Sequence, residues 1–214
     1  MLIFFVRHGL TDWNIQRRFQ GTCDVPLNNA GIAQAQTAAA RCKELGFERI
    51  YHSTLARAAE TAQIIADASG VPLIPCKGFN EVSLGVFQGL NHEMAKAQYP
   101  EAYAAYFADR IHGAPPKGES LYQVQQRALK ALSFIEEDAK GCERIAVVSH
   151  GALLKALLGA VAGIPLTNYA CYDVSNGSIS VIESKNGARR LITLNAMAHF
   201  GDPYGEMSKT KLLI

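Results

Sequence analysis

Apolar and polar positions along this chain follow two alternating rhythms, and the switches between them lay out a series of strands and helices. Leu2-Ile-Phe-Phe-Val6 is an unbroken apolar run, rich in β-branched and aromatic residues, as expected of a strand buried on both faces. Residues 10–27 keep no period and predict a long loop. From Asn28-Asn29-Ala-Gly31 to about Leu45 alanines recur at helical spacing; asparagine suits the start of such a helix and Gly46 its end. Ile50-Tyr51-His52 predicts a short strand, Thr54 to Ser69 a second helix closed by Gly70 and Pro72, and residues 73–75 a further strand. Residues 82–118 mix short helical patches with aromatics and finish in the turn Gly113-Ala-Pro-Pro-Lys-Gly118. Glu119 to Lys140 then reads as a long helix, Arg144 to Val148 as a buried strand, and His150 to about Ala162 as a helix. Residues 178–183 and 189–194 pair as a hairpin around Lys185-Asn186-Gly187, and residues 195–214 show no regular pattern.

Strands alternating with helices predict an α/β fold: a three-layer α/β/α sandwich with a mostly parallel central sheet. Residues 1–214 read as a single domain. The segment 82–118 falls between sheet elements and is expected to form a short helical cap over a site.

Composition narrows the partners. The chain has 214 residues, 49% of them hydrophobic, and a mean hydropathy of +0.02, enough to bury a core. A formal charge of +2, with basic pairs only at Arg17-Arg18 and Arg189-Arg190, argues against nucleic acid as a partner. No apolar stretch is long enough to cross a bilayer, and residues 1–6 are too short for a signal peptide. The five cysteines form no C-x-x-C pair, which reads as reduced thiols in the cytoplasm without zinc.

The candidate chemistry lies at strand ends, where open α/β sheets bind ligands. Arg7-His8-Gly9 directly follows the first strand, and Ser149-His150-Gly151 follows the strand at 144–148 and opens a helix. The free N–H groups of that helix and its dipole would favour an anion. Ser53 or Thr54 is the expected cap of the helix carrying Arg57, which puts a cation in a first turn where the macrodipole opposes it. An anion held between the helix end and the guanidinium would explain that placement. Glu81 stands in the apolar stretch Phe79 to Leu84, surroundings that suit a general acid. Two arginines and two histidines can converge on a phosphate dianion, with arginine gripping oxygens in pairs. His8 would stay neutral beside Arg7, Arg57 and His150, and so could attack phosphorus. Such a cluster supplies the charge itself, so no metal or cofactor is expected. The chain lacks G-x-x-x-x-G-K-[ST], any Cys with an Arg six positions later, and H-E-x-x-H.

Arg7-His8-Gly-x-Thr11-x-Trp13-Asn14, Gln20-Gly21, Asp24-x-Pro26-Leu27, Ser53-x-Leu55-x-Arg57-Ala58-x-x-Thr61-Ala62, Glu81-x-x-x-Gly85-x-x-x-Gly89, Gly118-Glu119-Ser120 and Val147-Val148-Ser149-His150-Gly151 together resemble the histidine phosphatase (phosphoglycerate mutase-like) superfamily. The resemblance runs from Met1 to about His150. It implies that His8 is phosphorylated, that Arg7, Arg57 and His150 hold the phosphate with Asn14, Gln20, Gly21 and Gly151, and that Glu81 protonates the leaving oxygen and then activates water. Leu10 stands where the family usually has Glu or Gln, which changes the expected wall near His8. Glu81 and His150 are only 69 positions apart, with no adjacent Arg pair between them. That favours a phosphatase acting on a small phosphorylated metabolite over a phosphoglycerate mutase. The resemblance also allows a homodimer. Two other readings are weighed beside it: a serine hydrolase using Ser149, His199 and Asp173, and a phosphate-binding module without turnover. Tyr99, Tyr103, Tyr106 and Phe107 recur at helical spacing and are expected to pack the cap or to touch substrate.

Overall fold

A computed structural model describes residues 1–201. Six strands form one sheet in the order β3-β2-β4-β1-β5-β6. The parallel part comprises β1 (Leu2–Arg7), β4 (Arg144–Ser149), β2 (Arg49–His52) and β3 (Leu73–Pro75). The hairpin β5 (Ile179–Lys185) and β6 (Ala188–Ala196) joins β1 antiparallel.

The apolar run at the start of the chain explains the layering. Alternate residues of a strand point to opposite faces. Ile3 and Phe5 enter one core, beneath α6 (Leu121–Asp138) and α7 (Gly151–Val161). Phe4 and Val6 enter the other, beneath α2 (Asn29–Leu45) and α3 (Ala56–Ser69). The result is the expected three-layer sandwich.

Two loops diverge at the centre of the sheet. β1 and β4 are neighbours in register, Arg7 opposite Ser149. The chain leaves β1 toward α2 on one face and leaves β4 toward α7 on the other. Loops that part in this way open a crevice beyond the strand ends. His8 and His150 are the first residues past the paired positions, so the topology brings them together, and the His8 amide donates to the Ser149 carbonyl at 3.0 Å.

Local structure departs from expectation in three places. The loop 10–27 contains a four-residue helix, α1 (Asp12–Ile15), closed by a capping box between Thr11 and Asn14. The helix carrying Arg57 begins at Ala56, capped by neither Ser53 nor Thr54. Asp24 takes the Ala56 amide at 2.6 Å instead, from a distant loop. Of the tail expected to be irregular, β6 occupies residues through Ala196 and one 3-10 turn covers Ala198–Phe200; residues 202–214 lie outside the described residues. The segment 82–118 forms a 3-10 turn at Gly85–Phe87, α4 (His92–Gln98) and α5 (Pro100–Ala108). Its two ends are tied together, Glu119 N–H to the Ser83 carbonyl at 2.8 Å and Val86 N–H to the Pro116 carbonyl at 3.1 Å.

Candidate active site

His8 is fixed from several directions. Its Nδ1 lies 2.6 Å from the Gly9 carbonyl, which can only accept, so Nδ1 carries the proton. Nε2 is therefore a lone pair, and Arg57 donates its Nε–H to it at 3.3 Å. Asn176 donates to the His8 carbonyl at 2.9 Å, and Thr61 accepts the Gly9 amide at 3.2 Å. Gly9 has no room for a side chain: a Cβ there would meet the Gly31 carbonyl oxygen at 2.2 Å. Burial, then the charges of Arg57 and Arg7, push the His8 imidazole well below its ordinary value of 6.5 and keep it neutral, against an opposing contribution from the Gly9 bond.

Arg57 is almost wholly buried and is shared between His8 and a loop. Its NH2 donates to the Gly21 carbonyl at 2.8 Å and its NH1 to the Cys23 carbonyl at 2.9 Å. Asp24 on the same loop caps α3, so the anion expected near the helix start is this side chain. Arg7 donates to the Val174 carbonyl at 2.6 Å, and its guanidinium packs against Gly151, where a Cβ would come within 3.0 Å.

His150 lies behind this cluster, its ring 5.1 Å from that of His8 and fully buried. Nε2 contacts Ser53 Oγ at 2.6 Å, and Ser53 in turn donates to Asn80 Oδ1 at 2.9 Å. Burial, then Arg57, His8, Arg7 and Arg127, hold His150 well below 6.5.

Glu81 does not sit in the apolar surroundings expected of it. Its carboxylate accepts three backbone N–H groups at 3.0 Å: Val82 and Leu153 on Oε1, Ala152 on Oε2. It thus takes two of the α7 amides expected to face an anion. Among the described residues the Gly151 amide has no acceptor and remains available. Oε1 is doubly occupied, while Oε2 keeps one lone pair.

A cavity of about 190 Å³ joins these groups, lined by Arg7, His8, Asn14, Gln20, Gly21, Arg57 and Glu81, with Arg18, Phe19, Val82, Leu84 and Ala152. His150 and Gly151 are not among the lining residues, but the His150 ring lies 5.1 Å from that of His8, which is. Leu10 is not in the wall, so its departure from the family pattern leaves the cavity surface unchanged. Tyr99, Tyr103, Tyr106 and Phe107 also lie elsewhere: they pack around Phe87 and His92, and the Tyr103 hydroxyl meets His92 Nδ1 at 3.0 Å. A larger groove of about 630 Å³ runs along α6 past Cys76, Tyr122 and Phe134, away from the histidines. Ser149 donates to the Phe79 carbonyl at 2.7 Å, His199 contacts the Gly177 carbonyl and Asp173 pairs with Lys155. These three do not meet, which removes the serine hydrolase reading.

Sequence reasoning missed Asn80, Asn176 and Arg127. The last donates to the carbonyls of Gly78 and Asn80 and pairs with Glu119, holding the strand of chain that carries Glu81.

Two histidines held neutral, the buried Arg57 and the partly buried Arg7 gather at the end of a parallel sheet, a concentration of positive charge and donors that suits a multiply charged anion. The chain belongs to the histidine phosphatase superfamily (branch 1), whose family model matches residues 3–197. It is 44% identical to phosphoglycerate mutase-like protein 4 of Arabidopsis thaliana over 158 residues, 72% of this chain and 68% of the relative. It is 34% identical to a probable phosphoglycerate mutase of Escherichia coli over 181 residues, 85% of this chain and 84% of the relative. Its fold matches the crystal structure of an α-ribazole phosphatase from Shigella flexneri with a TM-score of 0.85 at 27% identity, covering 91% of this chain and 96% of that one.

Proposed function

We propose that the protein is a metal-independent phosphomonoesterase that hydrolyses a small phosphorylated metabolite through a phosphohistidine on His8. The observation that carries this reading is the tautomer of His8. Nδ1–H is held by the Gly9 carbonyl, and the Nε2 lone pair faces the cavity under the Nε–H of Arg57.

The chemistry follows from the residues. A phosphoryl group enters between Arg7, Arg57, Asn14 and the Gln20-Gly21 segment, with the Gly151 amide as a further donor. Arg57 Nε–H turns from His8 to a phosphoryl oxygen and exposes the lone pair. A bond forms between Nε2 and phosphorus as the ester P–O bond breaks. Charge stabilisation and in-line positioning supply most of the catalysis. Glu81, protonated from solvent on the remaining lone pair of Oε2, gives that proton to the leaving oxygen and recovers one from the water that attacks the phosphohistidine. His150 supports the phosphoryl group from behind.

The same reading makes residues 1–214 one catalytic domain, with 82–118 as its cap, acting in the cytoplasm. The tied ends of that segment, and the lining positions of Val82 and Leu84, support the cap. No helix among the described residues is long and apolar enough to cross a membrane.

A phosphoglycerate mutase is the second reading, favoured by the names of the two curated relatives. One experiment separates the two: wild type and His8→Ala on a panel of phosphoglycerate, phosphoserine, α-ribazole phosphate and sugar phosphates, in EDTA. Phosphate release that disappears in the variant supports the phosphatase. Isomerised phosphoglycerate with little phosphate release makes it a mutase. No turnover on any compound, with phosphate still bound, favours a binding module.

A further inference from the structure

The buried hydrogen-bond chain behind the cavity fixes the protons of His150. Asn80 Oδ1 is identified as the oxygen because it accepts the Thr54 backbone N–H at 2.8 Å. Ser53 Oγ lies 2.9 Å from that oxygen and must donate to it. The Ser53 hydroxyl has then given its only proton, and can only accept from His150 Nε2 at 2.6 Å and from the Leu55 amide at 3.2 Å. Neutral His150 is therefore the Nε2–H tautomer. Its Nδ1 is a bare lone pair, buried and without a hydrogen-bond partner.

A lone pair cannot donate to a phosphoryl oxygen and repels one. We infer that phosphate enters this site together with a proton, which the Ser53–Asn80 pair forces onto Nδ1 of His150. The phosphate arrives either as the monoanion, passing its own proton to Nδ1, or as the dianion with a proton drawn from solvent. Either way the product is an imidazolium donating from both ring nitrogens, to Ser53 and to a phosphoryl oxygen. Ser53 and Asn80 are positioning residues in this scheme.

The charges around His150 fit the idea. Arg57 from α3, Arg7 and His8 from the end of β1, and Arg127 from α6 all disfavour its cationic form, while the Glu81 carboxylate caps the helix that His150 opens. An empty site thus keeps His150 neutral. A phosphate dianion placed among the same groups reverses the balance. The inference rests on the proposed phosphate site but not on turnover.

Calorimetric titration of the full chain with inorganic phosphate, in two buffers of different ionisation enthalpy, counts the protons. At about pH 8 the expected uptake is about one proton per phosphate, falling toward zero at about pH 6, where the phosphate brings its own. Glu81→Gln should keep the count, which excludes Glu81 as the acceptor. His150→Asn puts an amide donor near the Nδ1 position, and should bind phosphate with almost no uptake. Ser53→Ala frees the ring to present Nδ1–H while neutral, so its count should fall by half or more; a purely structural role would weaken binding and leave the count alone. Phosphate bound without proton uptake by the wild type, or a full count in His150→Asn, overturns the inference and leaves the phosphatase reading intact. Failure of wild type to bind phosphate at all removes both.

Discussion

Arg127 donates to the Asn80 carbonyl at 2.8 Å, reaching across the sheet end from α6 to a segment 47 residues earlier. The same guanidinium holds the Gly78 carbonyl and is steadied by Glu119. Asn80 orients His150 through Ser53, and the next residue is Glu81. One buttress therefore sets the position of both Glu81 and His150. Arg127→Met should lower kcat/KM by about 10- to 100-fold through misplacement of Glu81, with a smaller loss of phosphate affinity through His150. Steady-state kinetics beside phosphate titration checks this. An equal loss in both would mean that Arg127 acts on the phosphate pocket itself.

Arg57 joins His8 to the 20–24 loop through three separate donors, a geometry lysine cannot reproduce. Arg57→Lys keeps the charge and loses the fork. The expected result is a fall of about 10²–10³ in kcat/KM, together with faster proteolytic cleavage between residues 20 and 27. Wild-type kinetics in the variant would show that charge alone suffices there.

Much of the sheet and of the site was legible in the sequence because each feature was local. The apolar run 2–6 announces a strand covered on both sides, Asn28 and Gly46 bracket α2, and His8 and His150 follow strands directly. What escaped depends on contacts between distant polar residues, which leave no period. Ser53 and Thr54 are better caps than Leu55 on local chemistry, yet Asn80 and His150 occupy their hydroxyls and Asp24 caps the helix from 32 residues away. Arg127 reads in sequence as part of a solvated helix face. Glu81 stands out in its apolar stretch, but two of its three amide donors come from α7, more than 70 residues later, and cannot be read from its neighbours.

Gly9 and Gly31 pack backbone against backbone where the loop after β1 meets the first turn of α2. A Cβ on Gly9 would lie 2.2 Å from the Gly31 oxygen, and one on Gly31 would lie 2.0 Å from the Leu10 oxygen. Neither obstacle is a flexible side chain, so the backbone must move. Gly9→Ala should cost roughly 1–3 kcal/mol by overpacking, or about 2–10 °C in Tm for a chain of this size. Because the shift falls beside His8, turnover should fall as well. Thermal unfolding and kinetics on the same preparation test both; an unchanged Tm would mean that the contact relaxes freely.

The neutral histidines should make the protein sensitive to acid, and bound phosphate should add a pH dependence of opposite sign above neutrality. In the unfolded chain each titrates near its ordinary value of 6.5, whereas in the fold both lie well below it. As pH falls below 6.5 the unfolded state binds protons that the folded state refuses, so stability complete above that value is lost on acidification. Each histidine contributes a slope of about 1.4 kcal/mol per pH unit until its folded value is reached. Denaturant unfolding between about pH 7 and pH 5 should show this slope in the wild type and a smaller one in His8→Asn, which removes one of the two groups. Identical slopes would mean that His8 is not held neutral. Saturating phosphate should leave the wild-type slope unchanged below about pH 6, where it brings its own proton, and above about pH 7 should make stability fall as pH rises, since the complex keeps a proton on His150 that the unfolded chain and the free dianion lack. The same titration then reads the charge state of the empty site in its first arm and that of the occupied site in its second.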